Sequence, residues 1–169
     1  QQPDTEGAET TPTYAVQGVA LIPGTGEYSL ATTPVSYVGD AQSRWSANIN
    51  SPSGKTDFVT SMQALDEEVP ALKSASLVVS WFGGDLRAGA CRLYPKVEDA
   101  AVDGEEMPWT VTGLTRSTAQ VIARGADSRP IYGGTPADAA VIEAIKAMNE
   151  ADKAVMFYPF VLMDQIPMI

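Results

Sequence analysis

Three acidic residues, Glu27, Asp85 and Asp164, each stand just beyond a run that reads as a core strand. In a parallel β/α barrel that position is the face on which active sites collect, and two carboxylates flanking a sugar bond are the usual machinery of glycosidases. Acids at strand ends also simply face water or cap the next helix, so the position admits a catalytic and a structural role. The chain has no histidine. That removes the His-dependent Ser and Cys triads, imidazole metal sites and the commonest general base, and leaves any chemistry to carboxylates. No metal or cofactor is expected. Gly24-Thr25-Gly26 lacks the third glycine and the following helix of a dinucleotide loop and reads as a turn. No Gly-Lys-Ser/Thr phosphate loop is present. The free amides at Gly133-Gly134-Thr135-Pro136 suit an anion, but the same residues are explained as a helix entrance. Arg87, Arg92 and Lys96 form a small basic island, expected to pair with carboxylates of the chain itself.

The elements that must position these residues centre on 132–164. Gly133 and Gly134 allow a tight approach, Thr135 is expected to cap a helix, Pro136 to occupy its first turn and Asp138 to close a capping-box-like arrangement. Val141, Ile145 and Met148, with Ala140, Ala144 and Ala147, make a narrow apolar stripe, while Glu143, Lys146 and Glu150 take the wet side. Ala154 to Met163 carries no charge and no alternation, as expected of a parallel strand buried on both faces. Pro159 lacks a ladder donor, which calls for an irregularity or a sheet edge. Asp164 ends the strand.

Earlier in the chain, residues 1–13 read as an acidic flexible linker. Tyr14 to Ile22 is a strand, and the turn 23–27 delivers Glu27. Tyr28–Leu30 and Pro34–Val38 suggest a short antiparallel pair. Residues 39–54 form an irregular loop with Trp45 as a local anchor. A helix runs from about Asp57 to Val69, capped by Thr56 or Asp57, with Phe58, Met62, Leu65 and Val69 on one face and Pro70 as its stop. Ala75 to Phe82 is a second buried strand, ending in Gly83-Gly84-Asp85. Residues 86–131 read as an insertion carrying a small hairpin, with strand-like fragments at Trp109–Leu114 and Thr118–Ala123. The order is the βαβαβ pattern of a parallel α/β sheet. Three core strands do not close a barrel, and the chain fits the first three strands of a (β/α)8 unit: a partial TIM-barrel-like unit with a hairpin insertion, spanning 14–169.

With 169 residues, 44% of them apolar, the chain can bury a real core. Its 21 acidic and 11 basic residues give a net charge of −10, which repels a phosphate backbone and argues against nucleic acid as a partner. No apolar run reaches the ~20 residues of a membrane-spanning helix, and a soluble chain is expected. Cys91, the single cysteine, forms no intrachain disulfide and reads as a small buried residue. The chain opens on Gln and closes on Pro167-Met168-Ile169 without a polar tail, so a piece of a longer polypeptide is expected.

Four blocks in order carry a resemblance: residues 21–28 (Leu-Ile-Pro-Gly-Thr-Gly-Glu-Tyr), 76–92 (Ser-Leu-Val-Val-Ser-Trp-Phe-Gly-Gly-Asp-Leu-Arg-Ala-Gly-Ala-Cys-Arg), 129–138 (Arg-Pro-Ile-Tyr-Gly-Gly-Thr-Pro-Ala-Asp) and 157–164 (Phe-Tyr-Pro-Phe-Val-Leu-Met-Asp). Over residues 14–169 the chain resembles the large baseplate "megatron" protein of gene transfer agents and related tailed phages, the glycoside hydrolase/phage tail family. The resemblance implies a TIM-barrel-like region within a tail-tip polypeptide of the virion. It also implies partners among the baseplate proteins (hub, distal tail protein) and further copies around the tail axis, with a cell-surface polysaccharide as a candidate ligand. A structural role in tail assembly and host contact is the expectation; the alternative is a carboxylate-dependent glycoside hydrolase, for which Glu27, Asp85 and Asp164 are the catalytic candidates by position.

Overall fold

A computed structural model describes residues 11–39 and 43–164. The expectations for residues 1–10 and for the closing residues 165–169 lie outside the described residues. Of the helix-forming segments, α2 (Asp57–Glu68) starts where Thr56 Oγ1 accepts from Val59 N at 3.3 Å, and it buries Phe58 and Met62. Pro70 follows its end, since its ring cannot continue the backbone ladder. The other long helix, α3 (Asp138–Glu150), buries Ala140, Val141, Ala144 and Met148. Ala140 and Ala144 on that face let it lie close to the sheet. No described helix is long and apolar enough to cross a membrane.

The fold is mixed α/β around a mostly parallel sheet. Strand β1 (Gly18–Leu21) and strand β10 (Ala154–Met163) flank the central β4 (Ser74–Gly83), both parallel to it, with Gly18 and Ala154 each opposite Ser74. The short β5 (Leu93–Tyr94) pairs antiparallel with the end of β4. No closed barrel is formed among the described residues. Odd-numbered side chains of β4, Ala75, Leu77 and Val79, sink into one cluster with the apolar faces of α2 and α3. The even-numbered side chains face the other way.

Several expected elements differ. Pro12–Ala15 is a single helical turn, α1, so the first strand covers only Gly18–Leu21. Tyr28–Leu30 is a buried turn; the antiparallel pair is instead β2 (Ser36–Val38) with β3 (Arg44–Ser46). Trp45 lies in β3 against Tyr37, ring centroids 5.7 Å apart, and stays half exposed. Cys91 is half-buried. Strand β10 has the expected bounds but is an edge strand among the described residues, its apolar side chains largely exposed, because only β4 pairs with it there. Ala154 N and Asp164 N both donate into the β4 side. Even-numbered amides of β10 therefore point inward and odd-numbered ones outward, which sets the missing N–H of Pro159 on the free edge. That is where a proline costs the sheet nothing.

Residues 86–131 contribute to the core rather than hanging from it. They contain β6 (Lys96–Val97), which pairs parallel with β9 (Gln120–Val121), and the hairpin β7 (Thr110–Val111) to β8 (Leu114–Thr115). Thr112 and Gly113 both take positive φ, 49° and 84°, as a two-residue turn of the twist-matching kind requires. Val97, Met107, Trp109 and Val111 join the main apolar cluster.

Candidate functional site

Glu27 leaves β1 through the turn 23–27 and ends fully buried, with 1% of its surface exposed. The guanidinium of Arg116, 5% exposed, meets it there: Nη2 donates to Oε2 and Nη1 lies 3.3 Å from Oε1. Glu98 N donates to Oε1 at 2.7 Å, and the Tyr37 hydroxyl to Oε2 at 3.4 Å. Arg116 continues the chain of contacts, with Nη1 donating to Asp99 O at 2.6 Å and Nη2 to the Tyr28 hydroxyl at 3.2 Å. Its Nε sits 2.8 Å from Asp103 Oδ1 in an ion-pair contact. Burial pushes the Glu27 carboxyl above the ordinary glutamate range, against the opposing pull of Arg116. Burial disfavours the Arg116 charge too, yet Glu27 and Asp103 hold its pKa above the ordinary arginine value. The two shifts differ in origin: at Glu27 burial outweighs the pairing, whereas at Arg116 the pairing with Glu27 and Asp103 outweighs burial. Both carboxylate oxygens of Glu27 are therefore taken by groups of the chain itself.

Asp85 is the opposite case. It sits on the exposed turn after β4 and accepts from Arg87 N at 2.8 Å, Nε at 3.0 Å and Nη2 at 2.6 Å. These bonds hold its pKa below the ordinary aspartate value. Asp164, just past β10, accepts from Lys96 Nζ on both oxygens at 2.7 Å and from the Tyr94 hydroxyl at 3.1 Å. Lys96 is itself buried, its ammonium 5.9 Å from the Phe82 ring centroid and 5.6 Å from that of Tyr94, within cation–π range. The basic island thus pairs inside the chain at Arg87 and Lys96. Strand β6 and the residue after it gather two of the three acids, Asp164 through the Lys96 side chain and Glu27 through Glu98 N. Asp85 stands apart with Arg87.

Thr135 does not cap α3. The helix begins two residues later than its sequence signal suggests, with Ala137 as N-cap and no side-chain cap bond. Thr135 is fully buried instead: its N donates to Lys96 O at 2.8 Å, its Oγ1 accepts from Lys96 N at 3.1 Å, and its carbonyl accepts from Trp109 Nε1 at 2.8 Å. Asp138 accepts from Thr112 N at 2.9 Å. Glu143 is likewise not on a wet face, since its two oxygens accept four hydrogen bonds from Thr32 and Thr33. Gly133 and Gly134 make the expected tight approach. A Cβ on Gly134 would stand 2.5 Å from Glu27 Cγ, and one on Gly133 2.5 Å from Gly26 N.

These contacts leave a cleft of about 750 Å³ over the even-numbered face of the sheet. Tyr158, opposite Val78, and Phe160, opposite Ser80, form its floor with Ile22 and Leu162. The turn 24–26 and the segment 129–136 form its walls. Its one acidic side chain among the described residues is Glu98, whose Oε1 accepts from Gly134 N at 2.9 Å. Periodicity had no means to find Glu98, which lies in the irregular stretch after β6; only its place two residues beyond Lys96 in the basic island marked the region. No described group of three or more His, Cys, Asp and Glu side chains is placed to hold a metal ion.

Comparison with known proteins adds no identity. The chain matches no protein-family model and no curated protein.

Proposed function

We propose that this chain is a structural component of a phage-like tail baseplate or tail tip, contributing to tail assembly and host-surface contact as part of a virion. Its three parallel strands and two helices would be the opening of a TIM-barrel-like unit, with residues 86–131 built into it. Two lines support the reading. The four sequence blocks resemble the baseplate family in matching order. Each strand-end acid is also matched by a cation of the same chain: Glu27 by Arg116, Asp85 by Arg87 and Asp164 by Lys96.

That second observation carries the choice between scaffold and glycoside hydrolase. A hydrolase of the carboxylate type needs two acids facing one bond, one of them able to hold a proton near neutrality. Here Glu27 is sealed and Asp85 is held in its ionised form away from the others.

The test has two arms. Electron microscopy of particles from producing cells that lack this chain should show tails without a complete baseplate, and normal tails there would overturn the structural reading. Wild-type protein incubated with purified envelope polysaccharide should release no soluble sugar. Release that disappears in a folded Asp164→Asn variant would replace the scaffold with the enzyme.

A further inference from the structure

The cleft has a polarity that selects its occupant. Glu98 Oε1 is engaged by Gly134 N, and among the described residues no hydrogen bond or ion pair reaches Oε2. Ser29 and Ser80, which also line the cleft, turn their hydroxyls inward to Gly26 O and Gly134 O, each at 3.1 Å. The side-chain groups left for a ligand are then few beside the apolar floor, which suits an apolar body with one charged end better than a ring crowded with hydroxyls.

The sign of that charge follows from Glu98 and from the field of a chain with net charge −10. Arg129, the one basic residue among the described residues lining the cleft, has 85% of its side chain exposed, and Asp127 accepts from its backbone N–H at 3.0 Å and lies 3.9 Å from its Nε. Tyr158 and Phe160 lie edge to face, ring centroids 6.3 Å apart, each 44% exposed. Open aromatic faces in the same cleft as a carboxylate suit a cation on an aliphatic stem, whose stem covers the rings while its charged end reaches the carboxylate.

We propose that this cleft docks a Lys or Arg side chain carried on an apolar segment of a partner protein, with the cation at Glu98 Oε2 and the flanking apolar groups on Tyr158 and Phe160. The inference rests on the structural reading above in taking the partner to be a protein, and it takes the even-numbered face of the sheet to stay open beside any further strands of the barrel-like unit.

The full chain is titrated, by calorimetry and by amide chemical shifts, with acetyl-Leu-Lys-Leu-amide, with the same peptide carrying norleucine for Lys, with n-butylammonium, and with a trimer of N-acetylglucosamine. The Lys peptide should bind at least ~10-fold more tightly than the norleucine peptide, a difference of about 1.4 kcal/mol. Glu98→Gln, which keeps Oε1 for Gly134, should erase that preference. Tyr158→Ser should weaken both peptides, and Glu67→Gln on the outer face of α2 should change neither. Equal binding of the two peptides overturns the proposal, as does a preference that survives Glu98→Gln. Butylammonium binding as tightly as the Lys peptide removes the protein partner and leaves a small-amine site. Displacement of the peptide by the sugar trimer assigns the cleft to saccharide, and absence of binding by a folded chain sinks the docking site. None of these results bears on whether tails form without the chain, so the structural reading is judged separately.

Discussion

Arg116 reaches across 89 positions of sequence to place its guanidinium on the buried carboxylate of Glu27, and it holds Asp103 and the Tyr28 hydroxyl with the same head group. One side chain from the 86–131 segment therefore satisfies the acid that ends the β1 turn. The cost of burying either charge alone is what makes the pair interdependent.

Arg116→Met should destabilise the protein by about 3–5 kcal/mol, because Glu27 is left in the interior without its partner and must either keep an unpaired charge or take up a proton. Glu27→Gln should also destabilise, and the double variant Glu27→Gln/Arg116→Met should lose clearly less than the sum of the two. Urea unfolding of the four proteins gives the coupling. Strict additivity would mean that the two residues do not act as a pair.

Thr135→Ala should cost about 1–3 kcal/mol by leaving the buried Lys96 N–H without its acceptor, and Thr135→Ser should recover most of it. Amide exchange separates this from a capping role. Faster exchange should appear at Lys96, whereas a faster first turn of α3 with Lys96 unchanged would restore the cap.

Gly134→Ala should destabilise by about 1–3 kcal/mol through overpacking, since the new methyl meets the Glu27 side chain at 2.5 Å. A chemical melt that leaves the midpoint in place would show that the 133–134 segment has room to retreat.

Glu143 ties α3 to the loop at Thr32 and Thr33. Burial works against its charge, but the hydrogen bonds from Thr33 and Thr32 prevail and hold its pKa below the ordinary value of 4.5. A carboxyl with a depressed folded-state pKa contributes stability above its unfolded pKa and loses it as pH falls through the folded one. Glu143→Gln should therefore cost about 1.5 kcal/mol at neutral pH, and the difference from wild type should shrink steadily below pH 4.5. A difference that stays constant down to the acid limit of folding would contradict the linkage.

Much of the local structure was legible in the amino-acid order. The uncharged run that became β10, the apolar 3.6-residue stripes of α2 and α3, the Pro70 stop and the parallel βαβαβ order all rest on interactions within a few residues, or on a pattern repeated along one element. Pro159 called for an irregularity or a sheet edge, and among the described residues it lies on the edge, where its missing N–H leaves no ladder bond unmade. Tertiary structure decided the rest. Whether β10 is covered depends on which strands pair with it. Thr135 looks like a cap in isolation, yet the backbone of Lys96, 39 positions away, competes for its hydroxyl and wins. Glu27, Asp85 and Asp164 have the same chemistry and the same place after a strand, but their surroundings make one a sealed ion pair, one a surface turn and one the partner of a buried lysine. Long-range partners set burial, and burial sets what a carboxylate can do.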